Sequence, residues 1–559
     1  MSYFQRPVAI RGGRGLHRGG RGQTAGRGNK NNKSSKSTLD EELRAKIQAA
    51  SYIGRKGYTI PKEMLTTEEY ALLREELTVK PMVFGPAGPG KTEETVFPVY
   101  RENAKKLYIP RFYGMTRYGL PPKTELTDGI PISLEFPKEL RDYQESIISI
   151  YMNYVKLDNK TWPIEYGGGA ILEVPCGRGK TVMALKIISL IGQKTIILVH
   201  KEFLMNQWIE RIAEFLPGAR VGKIQGSTFD VEGKDIVIGM IQTMYDRTFE
   251  QDAFAEFGLT ILDEVHRIGS EQFSKTLLKT VTKYMLGISA TVDRKDGLTK
   301  VLHMFIGDKI YTEKRKDEDP VCVRAIEYIS NDVEFNTTEY DYMGNAKYST
   351  MIVKLCDFAA RSDFIIRVVA DLIKEHPDNQ IMILGHNRSL LTYLHDAIEH
   401  RAIATVGYYV GGMKQRDLQE TEGRQIVVAT YAMAAEALDI KTLSTLVMVT
   451  PKTDIIQSVG RILRTRHENP IIVDIVDRHD VFQKQWIQRR KFYKKCNYRI
   501  RHIRSPKYEG MSIDWENDNT WERVFEPKVT EEGCVEMEEE RPPPMKCLLN
   551  ITEFQEEEA

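Results

Sequence analysis

The sequence predicts an α/β protein: two parallel-sheet domains in tandem, preceded by a small N-terminal accessory module and flanked by disordered tails. Two observations carry that expectation. From about residue 130, apolar runs of four to seven residues alternate with longer amphipathic stretches: "AILEV", "TIILVH", "DIVIGM", "LTILDE", and again "IMILGH", "IVVAT", "TLVMVT", "IIVDIVD". Strands so continuously apolar are buried on both faces, which in alternation with helices means parallel sheets. The series also occurs twice, on either side of a less regular stretch at 308–350, hence two domains.

Composition bounds the rest. The chain has 559 residues, 41% apolar and 28% charged, enough for roughly three or four domains with ordinary cores. No run approaches the ~18 uninterrupted apolar residues of a membrane span, and the N-terminus lacks the apolar core of a secretory signal, so neither membrane nor export is expected. The six cysteines, at 176, 322, 356, 496, 534 and 547, form no C-x-x-C pair. That argues against a zinc site and a disulfide framework and points to an intracellular, reducing compartment.

Taken in order, residues 1–38 hold nine Lys/Arg and no acid. Their "RGGRGLHRGGRG" character predicts a disordered RGG-rich basic arm that attracts phosphates, or a solubilising tail. Residues 39–129 form the accessory module: a helical opening from Leu39 to Ala50, then aromatic runs broken by prolines. Domain 1 is expected at 130–325, a linker at 326–350, domain 2 at 351–505 and an acidic tail at 506–559. Residues 531–559 carry ten Glu against Arg541 and Lys546.

Two strings end in Gly-Lys-Thr. "GPAGPGKT" (85–92) fits the strict phosphate-loop pattern, but it sits among prolines, and "TEETVFPVY" after it cannot start a useful helix. "VPCGRGKT" (174–181) lacks the first glycine yet follows a buried-strand run, and Ala184, Ile187, Ile188 and Ile191 follow at helical spacing. A phosphate loop needs strand before and helix after, so that backbone N–H groups and the helix dipole converge on the phosphates. The second string is therefore the nucleotide site. Cys176, Gly177, Arg178 and Gly179 wrap the phosphates, Lys180 reaches the β- and γ-phosphates, and Thr181 ligates Mg²⁺. "LTILDEVHR" then ends an apolar strand with Asp263, a metal carboxylate, and Glu264, which orients and deprotonates a water.

"DEVH", "SAT" (289–291) and "QSVGRILR" (457–464) resemble the DExH helicases and translocases of superfamily 2. "LGISATVDRKDGL" and "ATYAMAAEALDI" narrow the likeness to the branch with XPB-type and UvsW-type helicases. Within it the chain is most similar to large-DNA-virus helicases of the kind that includes the poxvirus transcript-release helicase. The likeness spans about 130–505, and "FPVYRENAKKLYIPRFYG" is similar to the N-terminal part of those viral proteins.

The resemblance implies two RecA-like domains and an ATP- and Mg²⁺-dependent, nucleic-acid-stimulated ATPase. Gln144, with Arg141, would face the adenine, and "TIILVHKEFLMNQW" and "IGMIQTM" would follow the phosphodiester backbone. Ser289, Thr291 and His266 would couple nucleotide to nucleic acid. Gln457 would position water or the γ-phosphate, and Arg461 and Arg464 would reach across the interdomain cleft. Ala437 stands where family members often have glycine. The track would be DNA in preference to RNA, with movement 3′ to 5′ and the tails offered to transcription machinery. For a viral source, the host cytoplasm or nucleus and the virion are the expected locations. The residues leave oligomeric state open.

The basic stretch "KQWIQRRKFYKKCNYRIRHIR" (484–504) has two readings: a nucleic-acid contact, or the closing helix and strand of domain 2 with its aromatics in the core. Two other function classes fit the residues less well. A binding scaffold without turnover would not need Lys180, Glu264, Arg461 and Arg464 together. A small-molecule phosphotransferase would leave the second domain without a role.

Overall fold

The computed structural model describes residues 39–527 except 81–95, 157–162, 176, 251, 266–270, 293–296, 314–320, 437–439, 464–466, 468–469 and 511–519. The basic arm, the string at 85–92 and the acidic end beyond 527 lie outside the described residues.

The N-terminal sheet has the order Arg101–Glu102, Lys106–Ile109, Gly57–Pro61, Tyr52–Gly54, Lys123–Thr124. Its central hairpin pairs Gly54 with Gly57 across a two-residue loop, Arg55 and Lys56. Gly57 has φ +100°, and a Cβ there would lie 2.3 Å from the Ile109 carbonyl oxygen, so the turn needs glycine. Helix Arg111–Tyr118 joins this module to the next domain. Arg111 is buried and donates to the carbonyls of Thr282 and Lys283, each at 3.0 Å, and to that of Tyr166. Ile53, Tyr58 and Leu107 lie in one apolar core with Ile171, Ile196 and Leu262 of the first parallel sheet. The module expected at 39–129 therefore shares a core with its neighbour.

That first parallel sheet runs Thr228–Phe229, Val221–Gln225, Ile236–Met240, Thr195–Val199, Leu259–Asp263, Tyr284–Ser289, Gly168–Glu173, Asp308–Thr312. Only the two-residue edge strand is antiparallel. Alternate residues face opposite layers. Ile171 points toward the accessory module, whereas Ala170 and Leu172 pack under helices Asp142–Lys156, Lys180–Ile191 and Glu202–Phe215.

The second sheet repeats the plan: Val406–Tyr409, Ile426–Thr430, Gln380–Gly385, Leu443–Met448, Ile471–Asp477, Cys322–Tyr328, Arg499–Arg504, Glu522–Phe525, with only the last antiparallel. Two expected boundaries fail here. The division at 325–326 falls inside a central strand of this sheet, and the 326–350 linker contains part of that strand and a helix, Val333–Asn336. The strand escapes periodicity because Arg324 and Glu327 interrupt its apolar run; Arg324 is buried and held by Glu375 at 2.6 and 3.0 Å. Likewise, the tail expected from 506 begins folded: Trp521 is buried in the second core and Glu522–Phe525 closes the sheet.

The stretch 484–504 lies within helix Asp480–Lys495 and strand Arg499–Arg504. Trp486, Tyr493 and Tyr498 are buried in the core, as the structural reading expects, and Arg489 and Arg501 are buried with them. No described helix is long and apolar enough to cross a membrane.

Candidate active site

The site forms at the carboxyl edge of the first parallel sheet. Strand Gly168–Glu173 leads into a loop with left-handed turns at Gly177 (φ 83°) and Gly179 (φ 78°), and helix Lys180–Ile191 starts at the lysine. The positive φ favours glycine at 179, and a Cβ there would also displace the Gln144 amide, whose Nε2 would lie at 2.3 Å. The first-turn N–H groups of the helix lack intrahelical partners and sit at its positive end, which suits an anion.

Gln144 braces this loop. Its Nε2 donates to the Arg178 carbonyl at 3.2 Å and its Oε1 accepts from the Arg141 N–H at 3.1 Å. The Arg178 side chain turns away: it lies 4.0 Å from the Tyr143 ring centre and donates to Glu313 at 2.7 Å. The Arg178 guanidinium is thus held by a carboxylate, and its backbone stays in the loop, braced by Gln144.

Across the loop, strand Leu259–Asp263 ends in the acidic pair. Glu264 takes left-handed backbone (φ 52°), its N–H donates to the Ile288 carbonyl at 3.0 Å, and its Oε1 lies 3.5 Å from the Lys180 Nζ. A non-glycine residue in this conformation stores strain, and such residues cluster at functional sites. Asp263 is buried, and its Oδ2 accepts from the Trp208 Nε1 at 3.0 Å. Burial first, and then the charge of Glu264, pushes the Asp263 carboxyl up to about 6; Lys180 and the Trp208 bond oppose them.

Ser289 ties this edge together. Its hydroxyl donates to the Thr291 carbonyl at 2.7 Å, and its carbonyl accepts from the Val174 N–H at 2.8 Å, so the "SAT" string is bonded to the start of the phosphate loop. Glu173 extends the link, accepting from the Val292 N–H at 3.2 Å and the Lys309 Nζ at 2.8 Å.

The structure thus gathers Gln144, Gly177, Gly179, Lys180, Thr181, Asp263, Glu264, Ser289 and Thr291 at one edge. Arg461 belongs to the second domain, where it is buried and its charge reaches Tyr409. Gln457 sits in the short helix Ile456–Val459. Cys176, His266, Ala437 and Arg464 lie outside the described residues.

Residue-level reading of the sequence missed Trp208, whose spacing with Leu204, Met205 and Ile212 on helix Glu202–Phe215 reads as core alone. The same helix reaches the second domain: Phe203 packs against both cores, and the charge of Glu210 is felt by Tyr409 and Glu422. One element therefore touches both the buried aspartate and the opposite domain.

Comparison with known proteins adds the family. Residues 137–294 match the family described as Type III restriction enzyme, res subunit. A protein of Acanthamoeba polyphaga mimivirus named as an ATP-dependent RNA helicase is 30% identical over 517 residues, 90% of this chain and 97% of that protein. One of African swine fever virus, named in the same way, is 26% identical over 401 residues, 66% of this chain and 74% of the relative. The DNA 3′-5′ translocase XPB2 of Sulfurisphaera tokodaii is 25% identical over 420 residues, 66% of this chain and 89% of the translocase. The mimivirus likeness runs nearly end to end in both proteins, across both sheets and the N-terminal module, and with it the chain belongs to the superfamily 2 ATP-dependent helicases of large DNA viruses.

Proposed function

We propose that the protein couples ATP hydrolysis, with Mg²⁺, to movement along nucleic acid or its unwinding, with DNA as the favoured track, in viral transcription or DNA metabolism. The observation that carries this reading is the meeting of Lys180, Asp263 and Glu264 beside a glycine loop that opens a helix. Phosphoryl transfer to water needs positioning and charge neutralisation more than covalent chemistry. Lys180 and the first-turn amides hold the phosphates. Glu264, now facing Lys180 at 3.5 Å, takes the proton from the attacking water once a phosphate claims the lysine.

The donor set suits Mg²⁺. This cation keeps several waters and phosphate oxygens, so the Thr181 hydroxyl and the Asp263 carboxylate suffice from the protein; bound there, it would neutralise charge on the phosphates. Gln144 and Arg141 brace the base side of the loop. Arg461, Arg464 and Gln457 supply the remaining charge and water alignment from the second domain, so hydrolysis requires the domains to close. Ser289, Thr291 and His266 pass that closure to the strand.

DNA as track rests on the resemblance to the XPB branch and on the relative named a DNA translocase; the viral relatives are named for RNA. The charged ends, 1–38 and the acid-rich end, are offered to transcription machinery inside the host cell. The test is ATP turnover alone and with single-stranded DNA, duplex DNA or RNA at one fixed salt concentration. Stimulation by DNA above RNA is expected. Turnover indifferent to nucleic acid would sink the translocase reading, and stimulation by RNA alone would replace the track.

A further inference from the structure

A cleft of about 930 Å³ separates the N-terminal sheet from the first parallel domain. It lies opposite the ATP site: Lys279 and Val281 in its wall precede strand Tyr284–Ser289, and Asp252 and Phe254 precede strand Leu259–Asp263, whereas Glu264 and Ser289 stand at the far ends of the same strands.

Its walls hold six cations, Arg55, Lys56, Arg101, Lys106, Lys275 and Lys279, against three carboxylates, Glu125, Glu250 and Asp252. Arg55 is paired with Asp252, and Lys275 with Glu271 at 2.6 Å. Among the described residues the other four cations meet no carboxylate at salt-bridge distance. Lys56 lies 5.1 Å from the Tyr108 ring centre, and Lys106 lies 5.0 Å from that of Tyr52 while donating to its hydroxyl at 3.0 Å. Arg101 donates to the Lys275 carbonyl at 3.0 Å, and Lys279 to the carbonyls of Met244, Tyr245 and Arg247 at 2.6, 3.2 and 2.9 Å. Burial, and after it the charges of Arg101 and Lys275, holds the Lys279 ammonium below its ordinary range. Neutral carbonyls and rings fix these cations in place without cancelling their charge.

We propose that this cleft is a second nucleic-acid contact, taking the phosphodiester backbone of a single-stranded segment away from the ATP site. The proposal rests on the helicase reading and adds the N-terminal module to the track. The volume is near the upper end of the ~300–1,000 Å³ of sites for single small ligands, room for a short run of single strand and too little for a double helix. The Tyr52 and Tyr108 rings are taken up by lysine ammonium groups, which leaves phosphate charge as the feature recognised, so the contact is electrostatic and indifferent to sequence. At the hairpin tip fixed by Gly57, Lys56 brings an uncancelled charge to the cleft, Arg55 being paired with Asp252.

The experiment compares the full chain with the double variant Lys56→Glu, Lys106→Glu, using fluorescence anisotropy of a labelled single strand of about 30 nucleotides across roughly 50 to 200 mM salt. The variant should bind more weakly, with the log K against log[salt] slope shallower by about 0.7 for each phosphate no longer neutralised. Its ATP turnover at saturating strand should stay within about two-fold of the parent, which separates this proposal from the helicase reading: if the parent shows no stimulated turnover, that reading fails instead. Parental affinity and slope in a folded variant would overturn the proposal, as would equal competition, per phosphate, by inorganic tripolyphosphate. Should the double variant not fold, Lys56→Gln at the exposed hairpin tip reads the same slope, and an unchanged slope there also overturns it.

Discussion

The two parallel sheets share a plan, yet Asp263 of the first is held in a way opposite to the buried aspartates of the second, whose arginine pairing the first domain repeats away from the site, at Asp235 with Arg220. In the second sheet, Asp474 and Asp477 on strand Ile471–Asp477 are each met by an arginine. Arg489 donates to Asp474 at 2.7 and 2.9 Å, and Arg361 donates to Asp477 at 2.7 and 2.8 Å. Tyr493 adds a bond to Asp474 at 3.0 Å, and Arg361 also reaches the Val449 carbonyl at 2.9 Å. In the first sheet, Asp263 has a neutral indole, a neighbouring carboxylate and a lysine that faces Glu264. A buried charge that is paired and fully bonded is inert structure; one left short of charge is poised for a cation or phosphate. The difference accords with the proposed division of labour, in which the first domain carries the chemistry and the second frames it.

The strongest way to break the first side of this comparison is to remove its cation. Lys180→Ala should lower ATP turnover by at least about 10³-fold, while Lys91→Ala in the other Gly-Lys-Thr string should stay within a few-fold. Steady-state phosphate release checks both, and loss of turnover in a folded Lys91→Ala protein would reverse the assignment.

On the second side, Arg489→Met strands Asp474 without its partner and should cost about 3–5 kcal/mol. Adding Asp474→Leu should restore most of it, because an apolar pair carries no desolvation penalty. Urea midpoints measure the cycle; equal losses in single and double variants would mean that packing, not charge pairing, sets the effect.

Smaller effects sharpen the link between the domains. Arg461→Ala should lower kcat by about 10²-fold with little change in ATP affinity. Glu264→Gln should keep phosphate contacts but lose the base, and so hold nucleic acid more tightly with ATP than without. If ATP leaves nucleic-acid affinity unchanged in both variants, closure of the two domains is not the coupling step.

The gentlest probe is Trp208→Phe. If Asp263 holds the cation as proposed, it must be ionised to do so, and because its carboxyl is pushed up to about 6 before any cation binds, turnover should fall toward acid pH. The indole bond favours the ionised form, so removing it should move the acidic limb to higher pH. At pH 8 the loss should be under about ten-fold. A limb that does not move would show the bond to be packing only. The same carboxyl works against stability: the native protein keeps its proton to higher pH than the unfolded chain, so folding free energy is lost as pH rises from about 4 to about 6.

Much of this was legible in the sequence, and the failures are instructive. The apolar runs and the glycine loop depend on backbone rules that act over a few residues, so the sheets, helix Lys180–Ile191 and the order of motifs could be read directly. Strand Cys322–Tyr328 could not, because its arginine looks like a loop residue until Glu375 is found 51 positions away. Trp208 reads as core, and only the fold brings its indole to an aspartate 55 positions on. The acidic tail hid Trp521 and the closing strand beneath its charge.

What the sequence by itself determined, then, was what unbroken spacing governs: the periodicity of the apolar strands and amphipathic helices, the turn that favours glycine, and the string that can open a helix on a phosphate. Tertiary structure alone decided which charges are cancelled. Arg361 finds Asp477 across 116 positions, and the Arg55–Lys56 hairpin comes to face Lys275 and Lys279 across a cleft. Whether a charge is desolvated, paired or left facing a cavity depends on what packs around it, and no local pattern encodes that.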